Sequence, residues 1–368
     1  MPKISIILTS YNHAKYIREA IDSVLNQTFT DFELIILDDA SSDDSWKVIN
    51  QYSDPRINAI RSERQGELQH MTNNAIAEVA MGEYIAIHHS DDVWDPGKLE
   101  KQVSVLEKHY EIGAVFTNVL AINEYGTPLV DKEHFYFTIF SQTNRSRHEW
   151  LRLFIIRGNV LCHPSVLIRK ECYRECGFYR NYLPQVGDFD MWIRVCLKYE
   201  IYVLPDQLVQ FRVLNNEANA SGTRPETKIR RTYEFYKLLP NYRQISNFDD
   251  LVRIFPEAEK YYRNNETDMD FALAMAILEL RSFQFTQLFA QDILFEIISD
   301  TRRAENIKRL YKFDNKNFIE LTGQNDVFSV LKVAEQNAKV NEIYASSSWK
   351  ITRPLRYLMQ FFNKNSSR

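Results

Sequence analysis

Four short strand-like runs, residues 4–8, 32–37, 57–60 and 84–88, are each separated from the next by a stretch whose apolar residues recur at helical spacing. Ile17, Ala20, Ile21, Val24 and Leu25 form the first helical stripe. Ser41, Ser42 and Asp43 offer caps for the second, which runs through Trp46, Val48 and Ile49. Leu68, Met71, Thr72, Ala75, Ile76 and Val79 form the third and lead to Gly82. Strands that alternate with helices in this way restrict the chain to an α/β fold built on a parallel sheet. Such sheets bind ligands in the crevice beyond the carboxyl ends of their strands. Three of the four ends carry suitable polar groups: Thr9 to Asn12, Asp38-Asp39, and His88 to Asp92.

No G-x-G-x-x-G follows the first run and no G-x-x-x-x-G-K-[ST] occurs anywhere. Only Gly66, Gly82, Gly97 and Gly113 fall within the first 115 residues, so glycine backbone cannot be the main cradle for a phosphate. A metal ion would do that job instead. A net charge of -4 leaves no basic footprint, so nucleic acid is excluded as a partner.

Beyond the fourth run, Asp95-Pro96 opens a helix with Leu99, Val103 and Leu106 as its buried stripe. Residues 114–122 and the turn at 123–126 add a strand and a reversal. Residues 127–149 have weak periodicity and read as a loop over the site. Residues 166–168 form another strand, a helix from Asp188 runs through Trp192, Val195, Cys196 and Tyr199, and residues 208–213 close the sheet. At 368 residues the chain exceeds a single core, and from about residue 226 helical patterns dominate, notably over 269–298. The expected division is a domain over 1–225, a helical appendage over 226–343 and a tail over 344–368. That tail holds Lys350, Arg353, Arg356, Lys364 and Arg368 among aromatic residues, without an acid, and suits peripheral contact with a membrane.

The apolar core at residues 4–8 is too short for a secretion signal, and no stretch approaches 18 uncharged apolar residues. A cytoplasmic location is expected, with the tail either at the inner face of the plasma membrane or packed as a helix against the appendage with its basic residues solvated. Cys162, Cys172, Cys176 and Cys196 lack a C-x-x-C pair and read as reduced, buried thiols. His163 with Cys172 and Cys176 lacks both a standard zinc spacing and a fourth ligand.

Adjacent carboxylates at a strand end are hard oxygen ligands that hold Mg²⁺ or Mn²⁺ and leave positions open for phosphates. The alternative is that Asp91 caps the following helix and Asp92 is solvated. Asp38-Asp39 on a neighbouring strand favours the first reading, because converging carboxylates repel unless a cation or a donor joins them.

Four stretches carry a resemblance: "ISIILTSYNHAKYIREAIDSVLNQTFTDFELIILDDASSDDS", "NNAIAEVAMGEYIAIHHSDDVWDPGKLEKQ", "HPSVLIRKECYRECGFYRNYLPQVGDFDMWIRV" and "VLPDQLVQFRV". In order and interval they resemble family 2 glycosyltransferases, inverting enzymes of the GT-A fold, over residues 1 to about 220. The first stretch is similar to bacterial spore-coat and surface-polysaccharide transferases. The resemblance implies a Rossmann-like mixed sheet flanked by helices, followed here by the helical appendage. It implies a nucleotide-diphosphate sugar donor, a glycan or polyprenyl-linked acceptor and a divalent cation, Mn²⁺ or Mg²⁺. Thr9 and Tyr11 would line the base pocket, Asp39 would accept a hydrogen bond from the base, Asp91 would contact the ribose, and Asp92 would bind the cation. Asp188 would be the general base on the acceptor hydroxyl, unless it only caps its helix. Trp192 would be core and Arg194 a structural ion pair. Arg61 and Arg64 would contact the diphosphate or flank the base, unless they are solvated loop charges.

Three positions depart from the family pattern. His89 stands where many members carry the first aspartate of D-x-D, and is expected to end its strand without touching the metal. Gly187 replaces the glutamate that usually precedes the catalytic aspartate. Leu214 stands where a histidine often follows Arg212, so Asn215, Asn216 or a water would have to substitute. These departures keep a catalytically degenerate nucleotide-sugar-binding protein in view. A sugar-nucleotide pyrophosphorylase is the other alternative, but it would show a Gly-rich basic N-terminal loop, which "LTSYNHAKYI" is not.

Overall fold

The computed structural model describes residues 1–131, 134–215, 219, 221–222, 224–352 and 356. Asn216 and the tail residues Arg353, Tyr357, Phe361, Phe362, Lys364 and Arg368 lie outside the described residues.

The first 94 residues form β1 (Ile4–Ser10), α1 (Ile17–Leu25), β2 (Phe32–Asp38), α2 (Ser45–Ile49), β3 (Ile57–Arg61), α3 (Leu68–Asn74), β4 (Tyr84–His89) and β5 (Val93–Trp94). The expected third helical stripe ends as a π-helical turn over Ala75–Val79. Then come α4 (Lys98–Lys108), β6 (Ile112–Ile122), α5 (Phe135–Ile139), α6 (Arg147–Arg157), β7 (Leu167–Arg169), α7 (Lys170–Cys176), α8 (Gly187–Cys196) and β8 (Glu200–Arg212). Among the described residues these strands make one mixed sheet in the order β3-β2-β1-β4-β7-β6-β8-β5. Strands β3, β2, β1 and β4 are parallel, β7 runs against both β4 and β6, and β6 and β8 are again parallel.

Strand β1 is buried on both faces, with Ile4, Ile6, Ile7 and Leu8 inaccessible, as an apolar run without alternation requires. One face packs on Ile17, Ala20, Ile21 and Val24 of α1 and on Leu99, Val103 and Leu106 of α4. Gly82 enters β4 so close to β1 that a Cβ would stand 2.4 Å from the Ser5 nitrogen and 2.7 Å from the Ile4 carbonyl carbon. Only glycine fits there.

Residues 127–149 contain more order than the sequence pattern implies. Helix α5 interrupts the segment, and Ser146 opens α6 through a capping box with Glu149. The signature Ser-x-x-Glu was in the sequence; the polar composition around it masked it.

The first compact unit is Met1–Ser282, so it runs past the point where the sequence turns helical. Within it lie α9 (Pro225–Leu238), α10 (Phe248–Ile254) and α11 (Met269–Leu280). Helix α10 is tied to α6 through the Arg147–Asp250 ion pair at 2.9 Å, and Arg152 pairs with Glu257 at 2.6 Å. The helical pattern over 269–298 is broken at Arg281, whose φ of 46° is left-handed. The second unit starts at Phe283 and contains α12 (Gln284–Ser299), α13 (Thr301–Tyr311), α14 (Asn315–Gln324), α15 (Val330–Ala345) and α16 (Ser347–Ile351). Phe289, Ile293, Leu294, Ile297 and Ile307 form its buried centre. No helix among the described residues is long and apolar enough to cross a membrane.

Candidate active site

Register brings the polar strand ends together. Ser10 lies opposite Asp38, Thr9 opposite both Leu37 and His89, and Asp38 opposite Arg61. The two neighbouring aspartates then part in role. Asp38 is fully buried; it accepts from the Ser41 hydroxyl at 2.6 Å and the Ser41 N–H at 3.1 Å, and it pairs with Arg61, Nε to Oδ2 3.3 Å. Asp39 faces the loop before α3, where its two oxygens accept the Gly66 and Glu67 N–H groups, each at 2.9 Å. Two lone-pair positions remain on that carboxylate.

The loops after β1 and β2 are laced to each other. Asn12 Oδ1 accepts the Ser42 N–H at 2.8 Å, and the Ser41 hydroxyl accepts the Asn12 N–H at 2.9 Å. Asn12 and Ala40 both take left-handed backbone, with φ of 51° and 54°. Asparagine tolerates this, but for alanine it stores about 1 kcal/mol or more of strain, the kind that collects at functional loops. Thr9 donates to the His88 carbonyl at 3.4 Å, and Tyr11, two residues on, is half-buried. Arg61 is spent on Asp38, the Ser41 carbonyl and the Trp46 ring. Arg64 is exposed and paired with Glu67 at 2.5 Å, on the loop that Asp39 holds.

Successive residues of a strand face opposite sides, and this separates the two histidines. His88 is fully buried against Trp94, with ring centroids 4.3 Å apart and no hydrogen-bond partner for either nitrogen. Burial and the neighbouring Lys98 push its pKa well below the ordinary imidazole value, so it is a neutral core residue. His89 faces the crevice, where its Nδ1 lies 3.9 Å from Asp92 Oδ2. Asp92 is buried; its Oδ1 accepts the Arg212 N–H at 2.8 Å, while its Oδ2 has no partner. Burial, and then the charge of Asp91, push the Asp92 carboxyl well above the usual carboxylate range. An orphaned buried carboxylate oxygen beside a second acid is a site that fits a cation. Among the described residues, His89, Asp91 and Asp92 are the one group of three such donors, all within 4.8 Å of one another.

Arg212 holds this turn in place. Besides its N–H on Asp92, Nε donates to the Asp91 carbonyl at 2.7 Å, Nη2 pairs with Glu19 at 2.6 Å, and Nη1 reaches the Asn123 carbonyl at 3.3 Å. Asn219 grips the same strand end, donating to the Arg212 carbonyl at 2.8 Å and accepting the Leu214 N–H at 2.8 Å. Asn215 donates to Glu124.

Asp188 sits in the first turn of α8 and accepts from Asn159 Nδ2 at 2.8 Å. It does not cap the helix, whose N-cap is Val186. Burial lifts its carboxyl to about 6, against the opposing pull of the Phe189 N–H and Asn159. Glu234 of α9, itself buried, accepts the Gln185 and Val186 N–H groups at 2.8 and 3.1 Å and so fixes the loop that delivers Asp188. A Cβ on Gly187 would lie 2.3 Å from Gln69 Nε2, so the amide of Gln69 fills the space a side chain there would take. Burial, and then the charges of Asp92 and Asp188, push the Cys162 thiol well up.

Trp192 is buried against Phe116 and Arg194 pairs with Asp190 at 2.9 Å, as expected of structural residues. His163 bonds to the Tyr179 hydroxyl at 3.0 Å and Cys172 to the Gly113 carbonyl at 3.6 Å, which leaves no zinc cluster among the described residues.

The family model described as Glycosyl transferase family 2 matches residues 5–170. The chain is also 36% identical over 226 residues to a Bacillus subtilis protein carrying the name teichuronic acid biosynthesis glycosyltransferase TuaG, covering 60% of this chain and 82% of that one. This chain is a family 2 glycosyltransferase. A glycosyltransferase of Methanocaldococcus jannaschii, MJ1057, is 28% identical over 252 residues, 67% of this chain and 82% of its own. Two solved structures share the fold of the glycosyltransferase at low identity. Staphylococcus aureus TarS 1-349 in complex with UDP gives a TM-score of 0.53 at 17% identity, over 87% of this chain and 90% of that one. The Pyrobaculum calidifontis mannosyltransferase PcManGT in complex with GDP-Man and Mn²⁺ gives 0.51 at 16%, over 88% and 87%. The curled mixed sheet with flanking helices is therefore the GT-A fold, followed by C-terminal helices.

Four residues of this glycosyltransferase's site carried no sequence signal of their role: Gln69, Asn159, Glu234 and Asn219. Gln69, Asn159 and Glu234 act from elements distant in the chain, and Asn219 folds back on residues five and seven positions before it. Arg212, the last residue of β8, was marked only by its match to the arginine of the family pattern.

Proposed function

We propose that this glycosyltransferase transfers a sugar, with inversion, from a nucleotide-diphosphate sugar to a hydroxyl of a glycan or polyprenyl-linked acceptor in surface polysaccharide assembly. One observation carries the reading: Asp92, with an orphaned buried oxygen, lies with Asp91 and His89 in a group of donor atoms within 4.8 Å of one another at the end of β4. The nucleotide complexes of TarS and PcManGT support a nucleotide-sugar donor, and the name of TuaG supports a polysaccharide product.

In this mechanism Thr9, Tyr11, Arg64 and Asp39 hold the base, with Asp39 using its two remaining lone-pair positions, and Asp91 holds the ribose. Asp92 would bind a divalent cation, which neutralises charge on the departing diphosphate. Asp188 takes the proton of the acceptor hydroxyl on the face opposite the leaving group. A carboxyl near 6 is ionised at neutral pH yet basic enough to share a proton in the transition state. Asn159 orients it and Glu234 steadies the loop beneath. The segment over 127–149, the appendage over 226–343 and the tail over 344–368 are where the acceptor and a membrane surface would be met.

The test is the melting temperature of the purified protein with UDP, GDP, CDP and dTDP, with and without Mn²⁺, for wild type and Asp92→Ala. A ligand at a hundred times its dissociation constant adds about 2.7 kcal/mol of stability. One nucleotide is expected to stabilise wild type only with metal, and Asp92→Ala not at all. No response to any nucleotide would overturn the reading in favour of a degenerate protein. NMR of the product then reads the anomeric configuration; retention refutes Asp188 as the base of an inverting displacement.

A further inference from the structure

His89 is one residue beyond the buried part of β4, at the position where the family pattern has an acid. Its Nδ1 is 3.9 Å from Asp92 Oδ2, and one donor atom each from His89, Asp91 and Asp92 lies within 4.8 Å of the others. Donor atoms that share an octahedral ion at roughly 2.1 Å are about 3.0 Å apart when adjacent and about 4.2 Å apart when opposite. The separation of 3.9 Å falls inside that span. The Asp92 oxygen facing the imidazole is buried and unpartnered, while its twin is taken by the Arg212 N–H. The ring is also braced. It stands edge-on to His163, centroids 5.2 Å apart at 79°, and His163 is tied to the Tyr179 hydroxyl at 3.0 Å, which meets the Tyr173 hydroxyl at 2.9 Å. A side chain merely ending a strand needs no such bracing toward a neighbouring acid.

We propose that His89 Nδ1 and Asp92 Oδ2 hold the cation together, a nitrogen and an oxygen where the family pattern has two carboxylates. This rests on the metal-dependent reading above and deepens it. Exchanging a carboxylate for a neutral imidazole removes one negative charge and one hard ligand. Imidazole binds Mn²⁺ and Co²⁺ better than Mg²⁺, which keeps to oxygen and water. The site therefore selects Mn²⁺ or Co²⁺ over Mg²⁺.

The experiment is electron spin-echo spectroscopy of the protein with Mn²⁺ and inorganic pyrophosphate, which supplies phosphate oxygens and no nitrogen. Wild type is expected to show ¹⁴N modulation on the bound Mn²⁺. His89→Asp should bind Mn²⁺ without that modulation, and Mg²⁺ should displace the ion at concentrations lower by roughly tenfold or more. His89→Gln, a neutral variant, should lose the modulation too, and melting curves check that both variants are folded. Bound Mn²⁺ without ¹⁴N modulation in wild type, or modulation that persists in both variants, overturns the role of His89 and leaves metal dependence standing. Failure of wild type to bind Mn²⁺ at all, with Asp92→Ala the same, overturns both.

Discussion

Asp188→Asn should stabilise the protein while abolishing turnover, because the native site holds an acid at a cost. Raising a carboxyl from its ordinary 3.8 to about 6 makes ionisation less favourable in the folded state than in the unfolded chain. The sign follows from proton counting. Between these values the folded state binds more protons, so stability falls as pH rises through them and stays low above about 6. The penalty comes to about 3 kcal/mol at pH 7.5, about half of that at pH 5, and under about 1 kcal/mol at pH 4. Asparagine keeps the shape and can still accept from Asn159 Nδ2, now at 2.8 Å from Asp188, without carrying a charge. The gain should thus be about 1–3 kcal/mol at pH 7.5, or about 2–4 °C of melting temperature per kcal/mol. The assay is paired melting of wild type and Asp188→Asn at pH 7.5, 5 and 4, with donor turnover measured at pH 7.5. A gain that shrinks with falling pH, together with lost turnover, is the expected result. A variant less stable at pH 7.5, or a difference that ignores pH, would refute the argument, since the carboxylate would then be stabilising its helix rather than waiting as a base. The same lift predicts that wild-type turnover falls below about pH 6 as Asp188 takes up its proton.

Three further outcomes follow from other contacts. Arg212→Ala should cost roughly 3–5 kcal/mol in a denaturant titration, because the buried guanidinium joins Glu19 and several carbonyls, and Arg212→Lys should fold but bind Mn²⁺ with nucleotide more weakly. Normal metal-dependent nucleotide binding in the lysine variant would sink that account. Gly82→Ala should lose roughly 1–3 kcal/mol or more in urea unfolding, its methyl colliding with the Ser5 and Ile4 backbone; an unchanged midpoint would show the strands part easily. Glu234→Ala should lower kcat on the order of tenfold to a hundredfold by releasing the loop before Asp188, yet leave stabilisation by nucleotide and Mn²⁺ intact. Equal damage to both readouts would mean that Glu234 only supports the fold.

The sequence by itself determined the alternation of strands and helices, because an unbroken apolar run and a 3.6-residue stripe are local patterns that report burial directly. It also marked which strand ends are polar, and so pointed to Thr9, Asp39, Asp91 and Asp92; register then aligns the carboxyl ends of β1, β2 and β4 that carry them, Ser10 opposite Asp38 and Thr9 opposite His89. It could not separate like from like. Asp38 and Asp39 are the same residue twice, and only the strand's facing decides that one closes a turn with Ser41 and Arg61 while the other meets the loop before α3. His88 and His89 divide likewise between the core and the crevice. Nor could it supply Gln69 over Gly187 or Glu234 beneath Asp188, since those contacts join residues far apart in the chain. The basicity of Asp188 was out of reach for the same reason. It depends on how much water the assembled fold removes from one carboxyl, a property of the surroundings and not of the residue.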